Sequence, residues 1–343
     1  MLSRHYKTLA AIALVLGLVI IVLSQIKKTV HVTVAVEASH AAFGLEGSVE
    51  NFLSINNKAA ADYALRLSSY GRAGFQVNQV QSAAGDVLAA GPQELVLIPE
   101  EGDPTASLGL QGVAIGKIAL APGHRLEINS LPDEPARMRL NLVDYGEAIS
   151  LVNMSDSIRL SPKRSLLAAD ESEAEDMHLL MAPGSPITVQ PLDNSLSISL
   201  RFETAQTLAE DDVMTISQLS FTENKAGVLH SAILGGKVSI LETGTTIDFG
   251  KNKSLSFAPG DRFDVTELDL SGERIRMVFE GETSNMRLGY AGRRYIPSML
   301  EYLYKNNFLI VLFNSYMVVI SLIASLLGGW RKDKEETAKK NKS

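Results

Sequence analysis

Cysteine is absent from the 343-residue chain, which excludes disulfide bonds, thiolate metal sites, a cysteine nucleophile and a lipid-modified N-terminal cysteine. Animal extracellular domains of this size usually carry disulfides, so their absence favours a bacterial envelope over a eukaryotic cell surface. Charged residues are also few, at 21%, while 45% of the chain is hydrophobic. The composition therefore predicts a folded protein with one large core or two smaller ones.

Basic residues are scarce in the middle of the chain. The formal net charge of -7 conceals a clustering of bases at the two ends, at Arg4 and Lys7 and in the tail that follows Trp330. The middle is therefore more acidic than the whole chain. Because phosphate binding needs a basic face, nucleic acid is not expected as a partner.

Motifs for catalysis or cofactor binding are missing as well. The six histidines are not spaced as zinc ligands, and there is no Gly-x-Ser-x-Gly elbow, phosphate loop or dinucleotide fingerprint. We therefore predict no catalytic residue, no cofactor and no metal. The acidic run at 168–177 lacks the glycine and the spacing of a calcium loop and is interpreted as a solvated linker. A site assembled from distant residues stays open, because catalytic triads are defined by geometry.

Two long uncharged segments lie near the chain ends. Residues 8–26 contain no charge over 19 residues, and residues 308–330 contain none over 23. At 1.5 Å per residue, each is long enough to cross a bilayer as a helix. A cleavable signal peptide is the alternative for the first segment, but residues 24–28 do not match the small-residue cleavage pattern. We predict an uncleaved transmembrane helix at each end.

The positive charges beside these segments predict the orientation. Residues 1–7 and the basic tail 331–343 carry the lysines and arginines that the positive-inside rule places in the cytoplasm. The expected arrangement is a two-pass protein of the bacterial inner membrane. Its main domain lies on the periplasmic or extracellular side, and residues 293–307 form a juxtamembrane segment.

Small residues recur along both predicted helices at spacings that permit close helix packing. Two interpretations are open: the helices of one chain pack together, or they contact other subunits. An asparagine in the second helix is placed for an interhelical hydrogen bond. The candidate helix-packing residues are Ala10, Ala13, Gly17, Asn314, Ser321, Ser325 and Gly329.

The exterior region contains an internal repeat. Residues 121–140 and 258–277 align without a gap at an offset of 137, with seven of 20 positions identical. Each copy begins with Ala-Pro-Gly, in which proline fixes φ and glycine accepts positive φ. We predict two copies of one β-unit, with Pro122 and Pro259 in equivalent turns.

Alternation after each turn places basic side chains on the solvated face of the strands. Such a face is ordinary and predicts ion pairs with acids on neighbouring strands, such as Glu127 and Asp264. The functional alternative is a weak site for an anionic ligand. The arginines of this candidate face are Arg125, Arg137, Arg139, Arg262, Arg274 and Arg276.

Two-residue alternation is widespread in the exterior region. It appears in the valines of 30–36 and in the runs 195–202 and 214–221, with turn residues between such runs. The exception is 57–69, where the pattern favours a helical insertion.

The sequence thus predicts a mainly β fold of two tandem β-sandwich-like modules between the two transmembrane helices. The predicted boundaries are 29–160 for the first module, 161–179 for the acidic linker and 180–292 for the second module.

Two anchors, a repeated β-unit and no catalytic motif favour a non-enzymatic envelope scaffold or binding subunit of an inner-membrane complex. Its expected partners are the lipid bilayer, membrane or periplasmic proteins and further copies of the chain. The topology is similar to that of the polysaccharide co-polymerases, but only in topology, because those proteins carry long external helices. The alternatives are an envelope carbohydrate-active enzyme with a dispersed site, or a sensor that passes external binding to a cytoplasmic partner.

Overall fold

The computed structural model describes residues 29–55, 65–99, 106–131, 137–163, 176–201, 206–208, 213–271, 273–289 and 293–305, with 18, 21–23, 25–26, 310 and 314 near the chain ends. The chain divides into two compact units. One comprises His31–Leu241 and Thr245–Tyr295, and the other comprises Met1–Val30, Glu242–Gly244 and Ile296–Ser343. The predicted mainly β fold is confirmed, and the strands pair in antiparallel sheets.

The larger unit contains nearly all of the strands, and the smaller one contains the helix α1. The elements are β1 (Val30–Ala38), β2 (His40–Leu45), β3 (Val49–Ile55), β4 (Leu65–Ser68), β5 (Tyr70–Ser82), β6 (Val87–Leu97), β7 (Ser107–Gln111), β8 (Val113–Leu120), β9 (Arg125–Ser130), β10 (Arg137–Val143), β11 (Ile149–Asn153), β12 (Ser157–Lys163), β13 (Met177–Leu180), β14 (Pro186–Pro191), β15 (Ser195–Arg201), β16 (Gln206–Thr207), β17 (Met214–Ser220), β18 (Thr222–Lys225), β19 (Val228–Ser231), β20 (Ile233–Ile240), a 3-10 turn (Leu241–Thr243), β21 (Thr245–Gly250), β22 (Leu255–Ser256), β23 (Phe263–Leu270), β24 (Ile275–Thr283), β25 (Arg287–Leu288), β26 (Arg293–Arg294) and α1 (Met299–Lys305).

Alternating burial explains why these segments are strands. In β1 the side chains of Val30, Val32, Val34 and Val36 are at most 1% exposed, while the residues between them are more accessible. Successive side chains of a strand point to opposite faces, so this pattern buries one face in the core and leaves the other to solvent.

The two repeat copies begin with the same turn. In the first, the N–H of His124 donates to the carbonyl of Ala121 at 3.2 Å, and the His124 ring Nδ1 accepts from the Ala121 N–H at 3.0 Å. In the second, Asp261 makes the equivalent bonds to Ala258 at 3.2 and 3.0 Å, with its carboxylate in place of the imidazole.

A glycine occupies the position of positive φ in both turns. Gly123 has φ 92° and Gly260 has φ 86°, values that side chains with a Cβ rarely adopt. The sequence repeat is thus also a repeat of backbone geometry.

Each turn leads into an antiparallel hairpin, and the two hairpins flank a central strand pair. Strand β9 pairs with β10 and with β2, while β23 pairs with β24 and with β17. Because β2 also pairs with β17, the order is β10–β9–β2–β17–β23–β24. Gly44 lies opposite Ser217 in the central pair, and one hairpin pairs with each of its two strands.

The first hairpin continues into strands that surround the predicted linker. Strand β10 pairs with β15, β15 with β4, β4 with β7, β7 with β12, β12 with β13, and β13 with β5. The sheet is therefore continuous across the predicted boundary at 161–179, where β12 ends and β13 begins, and 164–175 lies outside the described residues. The start of the predicted second module, 180–201, pairs with strands of the first.

The predicted helical insertion at 57–69 differs from the structure in its second half. Residues 65–68 form strand β4, in which Leu65 and Leu67 are buried and Arg66 and Ser68 are not. Two leucines two residues apart satisfy the period of a strand, and pairing on both edges fixes that conformation. Residues 57–64 lie outside the described residues.

The turn of the second repeat gives a first prediction. Asp261→Ala should lower the free energy of unfolding by about 1 kcal/mol, because the Ala258 N–H loses its side-chain acceptor. Asp261→Asn is the matched control, since the amide oxygen preserves the acceptor. Urea titration of the full-length protein in detergent measures both. Equal destabilisation by the two substitutions would contradict the assigned hydrogen bond.

In the smaller unit, α1 begins with a capping box. The hydroxyl of Ser298 accepts from the Glu301 N–H at 3.2 Å, and the Glu301 carboxylate accepts from the Ser298 N–H at 2.7 Å. Within the described residues, no helix combines the length and apolar character required to cross a membrane. The predicted spans 8–26 and 308–330 lie almost entirely outside the described residues.

Candidate functional site

The predicted helix-packing residues belong to the segments 8–26 and 308–330, of which the structure describes few residues. Ala10, Ala13, Gly17, Ser321, Ser325 and Gly329 lie outside the described residues, and Asn314 is a helical, exposed residue. Helix packing stays a prediction.

The candidate arginines of the second repeat copy are each beside a carboxylate. Arg262 is 3.1 Å from Glu46, and Arg274 is 3.1 Å from Glu37.

The third of them pairs with a carboxylate on the neighbouring strand, but not with the acid that was predicted. Arg276 on β24 is 3.3 Å from Glu267 on β23. Asp264, the acid suggested by the sequence, instead accepts a hydrogen bond from the Thr215 hydroxyl at 2.7 Å. These three arginines therefore belong to surface ion pairs, which normally contribute little stability and leave little unbalanced charge.

The first repeat copy is different. Arg125 is 3.6 Å from Glu127 of its own strand, but the cross-strand neighbours of Arg139 are Asn129 and Ser199, which carry no charge. The neighbour of Arg137 is another arginine, Arg201.

Strand pairing adds two arginines that the sequence analysis missed. Arg201 lies directly opposite Arg137, and Arg66 lies opposite Ser199, on the far side from Arg139. We call Arg66, Arg137, Arg139 and Arg201 the arginine face. No local pattern relates these positions, because they come together only through the pairing of β10, β15 and β4.

Two members of the arginine face, Arg137 and Arg201, lie directly opposite each other on paired strands. Like charges directly opposite each other on a sheet are unfavourable, and a guanidinium cannot relieve the repulsion by losing its proton. Within the described residues, no carboxylate lies at ion-pair distance from Arg139 or Arg201. In the second repeat copy, all three candidate arginines lie beside carboxylates.

A polar groove of about 380 Å³ adjoins the arginine face. Its floor is a row across four paired strands, formed by Glu127, Asn141, Ser197 and Ser68. The Ser197 hydroxyl donates to the Asn141 side-chain oxygen at 2.8 Å. We call this the serine groove; it is lined by Ser68, Ser69, Glu127, Arg139, Asn141, Leu142, Val143, Ser195, Leu196 and Ser197.

Ser199 lies between two members of the arginine face and is only 5% exposed. Its hydroxyl oxygen is buried and has no hydrogen-bond partner among the described residues. Burying a hydroxyl without a partner is unfavourable by about 1–3 kcal/mol.

One pair of close carboxylates is relevant to the alternative that the chain is a carbohydrate-active enzyme. Glu267 and Asp269 are hydrogen-bonded to each other on β23, and this bond raises the pKa of Glu267 above its ordinary value. Thr207 holds Asp269 through a 2.7 Å hydrogen bond. Glycoside hydrolysis needs carboxylates about 5–10 Å apart, and the cavity beside Glu267 is only about 40 Å³. The pair does not fit that chemistry.

The described part of the chain contains no group of three histidine, aspartate or glutamate side chains placed to hold a metal ion. Most of the acidic run at 168–177 lies outside this part. Asp176, the acid of this run that lies within the described residues, accepts hydrogen bonds from Ser161 and Arg159, and these lower the pKa of its carboxyl.

The chain matches no protein-family model, and no curated protein matches it.

Proposed function

We propose that this chain is a non-enzymatic scaffold or binding subunit of a bacterial inner-membrane complex. In this proposal, residues 8–26 and 308–330 are transmembrane helices, and the tandem β-sandwich-like region between them faces the periplasm. Exposed apolar side chains within the proposed spans support lipid contact: Leu18 is 58% exposed, Ile21 62% and Ile310 52%.

The proposal rests on the exposed apolar side chains of strand β6. It pairs with β5 and with no other described strand. Val87 and Leu88, which point to opposite faces, are 55% and 59% exposed, and Ile98 beyond its end is 70% exposed. Exposed apolar side chains grouped on one segment are typical of surfaces that contact other proteins.

The middle of β6 indicates how a partner protein would bind to this strand. Pro92 has no N–H, and Gly91 beside it has φ 98°, at an irregularity in the pairing with β5. Both features interrupt a strand edge and oppose continuous backbone pairing with another chain. We therefore expect side-chain packing of a partner on β6 rather than addition of a strand.

The experiment is a mild-detergent purification of the tagged full-length protein from its native membrane, followed by mass spectrometry and sizing of the complex. We expect a stoichiometric set of envelope partners that is lost in Leu88→Glu. Leu229→Glu on β19 is the matched control, because Leu229 is also an exposed leucine, at 71%. A clean monomer without partners would overturn the scaffold role. Equal loss in both variants would overturn the assignment to β6.

A further inference from the structure

We propose that the 3-10 turn Leu241–Thr243, which lies between β20 and β21, contacts the surface of the lipid bilayer, with the Leu241 side chain inserted at the boundary between headgroups and acyl chains. The inference rests on the proposed transmembrane span 8–26. It gives the exterior region a lipid contact of its own, in addition to the two proposed spans.

The pattern of exposure within the turn is the reverse of the one expected beside water. Leu241 is 74% exposed, whereas Glu242 next to it is half-buried and has a buried carboxylate oxygen. Polar side chains normally occupy the exposed positions of turns, because water solvates them. Beside hydrocarbon the preference is inverted, since an exposed carboxylate is costly there and an exposed leucine is not.

Strand pairing places the turn next to the start of β1. Ile240, the residue before the turn, is the cross-strand neighbour of Val32. Val32 follows Ile26, the last residue of the proposed span, by six residues. An extended chain of that length reaches at most about 20 Å. If 8–26 crosses the bilayer, Val32 and the end of β20 therefore stay close to the membrane surface.

The smaller compact unit provides an independent observation. It contains Glu242–Gly244 together with Met1–Val30 and Ile296–Ser343, so most of the turn groups with the ends of both proposed spans rather than with the strands on either side of it. Within the same unit, the Met299 N–H at the start of α1 donates to the carbonyl of Ile26 at 2.8 Å. The turn and the last residue of the proposed span thus belong to one compact unit.

Exposure of a leucine by itself would not indicate a lipid contact, because single apolar side chains are common on protein surfaces. Leu229 on β19 is 71% exposed, but β19 comes before the first residue of β20, Ile233, whereas the turn follows the last, Ile240. At about 3.3 Å per residue, the two ends of this strand lie roughly 23 Å apart. Leu229 therefore matches Leu241 in exposure and differs from it in position.

The test uses the absence of cysteine from the chain, which makes a single introduced thiol a unique site for a fluorescent label. Leu241→Cys, its matched control Leu229→Cys and Leu18→Cys within the proposed span are each labelled with an environment-sensitive fluorophore. The full-length proteins are reconstituted in phosphatidylcholine nanodiscs. Emission is measured with and without lipids that carry a quenching doxyl group, either near the headgroup or near the end of the acyl chain.

We expect doxyl groups near the headgroup to quench the label at 241 by about twofold or more, because interfacial side chains lie about 5–10 Å into the boundary between headgroups and acyl chains. The label at 229 should be quenched little by either lipid. The label at 18 should be quenched more by doxyl groups near the end of the acyl chain, because Leu18 lies near the middle of the proposed span.

Two results at 241 would overturn the inference. Quenching equal to that at 229 would show no preference of the turn for lipid. A shift of the emission to shorter wavelength without quenching would show that protein, and not lipid, covers the side chain.

The label at 18 separates this inference from the proposed function. If the label at 18 is quenched and the label at 241 is not, the lipid contact of the turn is wrong and the proposed span stands. If neither is quenched, the proposed membrane anchorage fails, and the lipid contact of the turn fails with it.

Discussion

Replacing Phe279 with alanine is expected to lower the free energy of unfolding by about 3–5 kcal/mol. Its side chain is fully buried, and it joins an aromatic cluster: the ring centroids of Phe263 and Phe257 lie 5.3 and 5.8 Å away, and that of Phe221 lies 6.4 Å away. The substitution leaves a cavity and removes edge-on ring contacts, each of which contributes about 0.5–1.5 kcal/mol.

Thermal melting of the full-length protein should show this effect as a lower midpoint, by roughly 2–4 °C per kcal/mol for a unit of this size. Phe279→Leu retains most of the volume and should lose less. Val213→Ala, at a side chain that is 75% exposed, is the surface control. If the melting point of Phe279→Ala is unchanged, the aromatic cluster does not stabilise the packing of the second hairpin as we expect.

Gly236→Ala is the second substitution with a large expected effect, about 1–3 kcal/mol or more of destabilisation. Gly236 lies directly opposite Phe249 in the β20–β21 pair, and the phenyl ring covers it. An added Cβ would meet the Ala35 carbonyl oxygen at 2.6 Å and the edge of the ring. The backbone carbonyl belongs to a core strand and cannot move away cheaply.

Gly250→Ala provides the control in the adjacent row of the same strand pair. Gly250 lies opposite Gly235, and a Cβ built there meets no atom within 4 Å. Urea unfolding of both variants separates the close approach from the general effect of alanine in a strand. If Gly250→Ala destabilises as much as Gly236→Ala, the steric account is wrong.

Much of the local structure could be predicted because its signals are local. The alternating run at 195–202 corresponds to β15 (Ser195–Arg201), and the run at 214–221 to β17 (Met214–Ser220). The two Ala-Pro-Gly turns have the expected positive glycine φ. In each case the residues that form the structure are within a few positions of one another.

Strand β4 shows where this reasoning fails. Leu65 and Leu67 lie next to an alanine-rich stretch that favours a helix, and four residues are too few for a period to decide between the two. Hydrogen bonds to β7 and β15, whose residues are distant in sequence, determine the strand. Tertiary context overrides local propensity in such short segments.

The candidate arginines were likewise predicted only in part. The sequence identified Arg137 and Arg139 as arginines of one strand face, but it did not distinguish them from Arg274 and Arg276. The tertiary structure places Glu37 beside Arg274 and Glu267 beside Arg276, and it places Arg201 opposite Arg137.

By itself, the sequence determined the β-rich class, the repeated turn and the alternation that separates core from solvent-facing side chains. It also predicted the two membrane segments. Only the tertiary structure decided that the sheet continues across the predicted linker, and that Arg66 and Arg201 join the arginines of the first repeat. The physical reason is that alternation within a strand depends on neighbouring residues, whereas the register between strands depends on hydrogen bonds and packing across the whole unit.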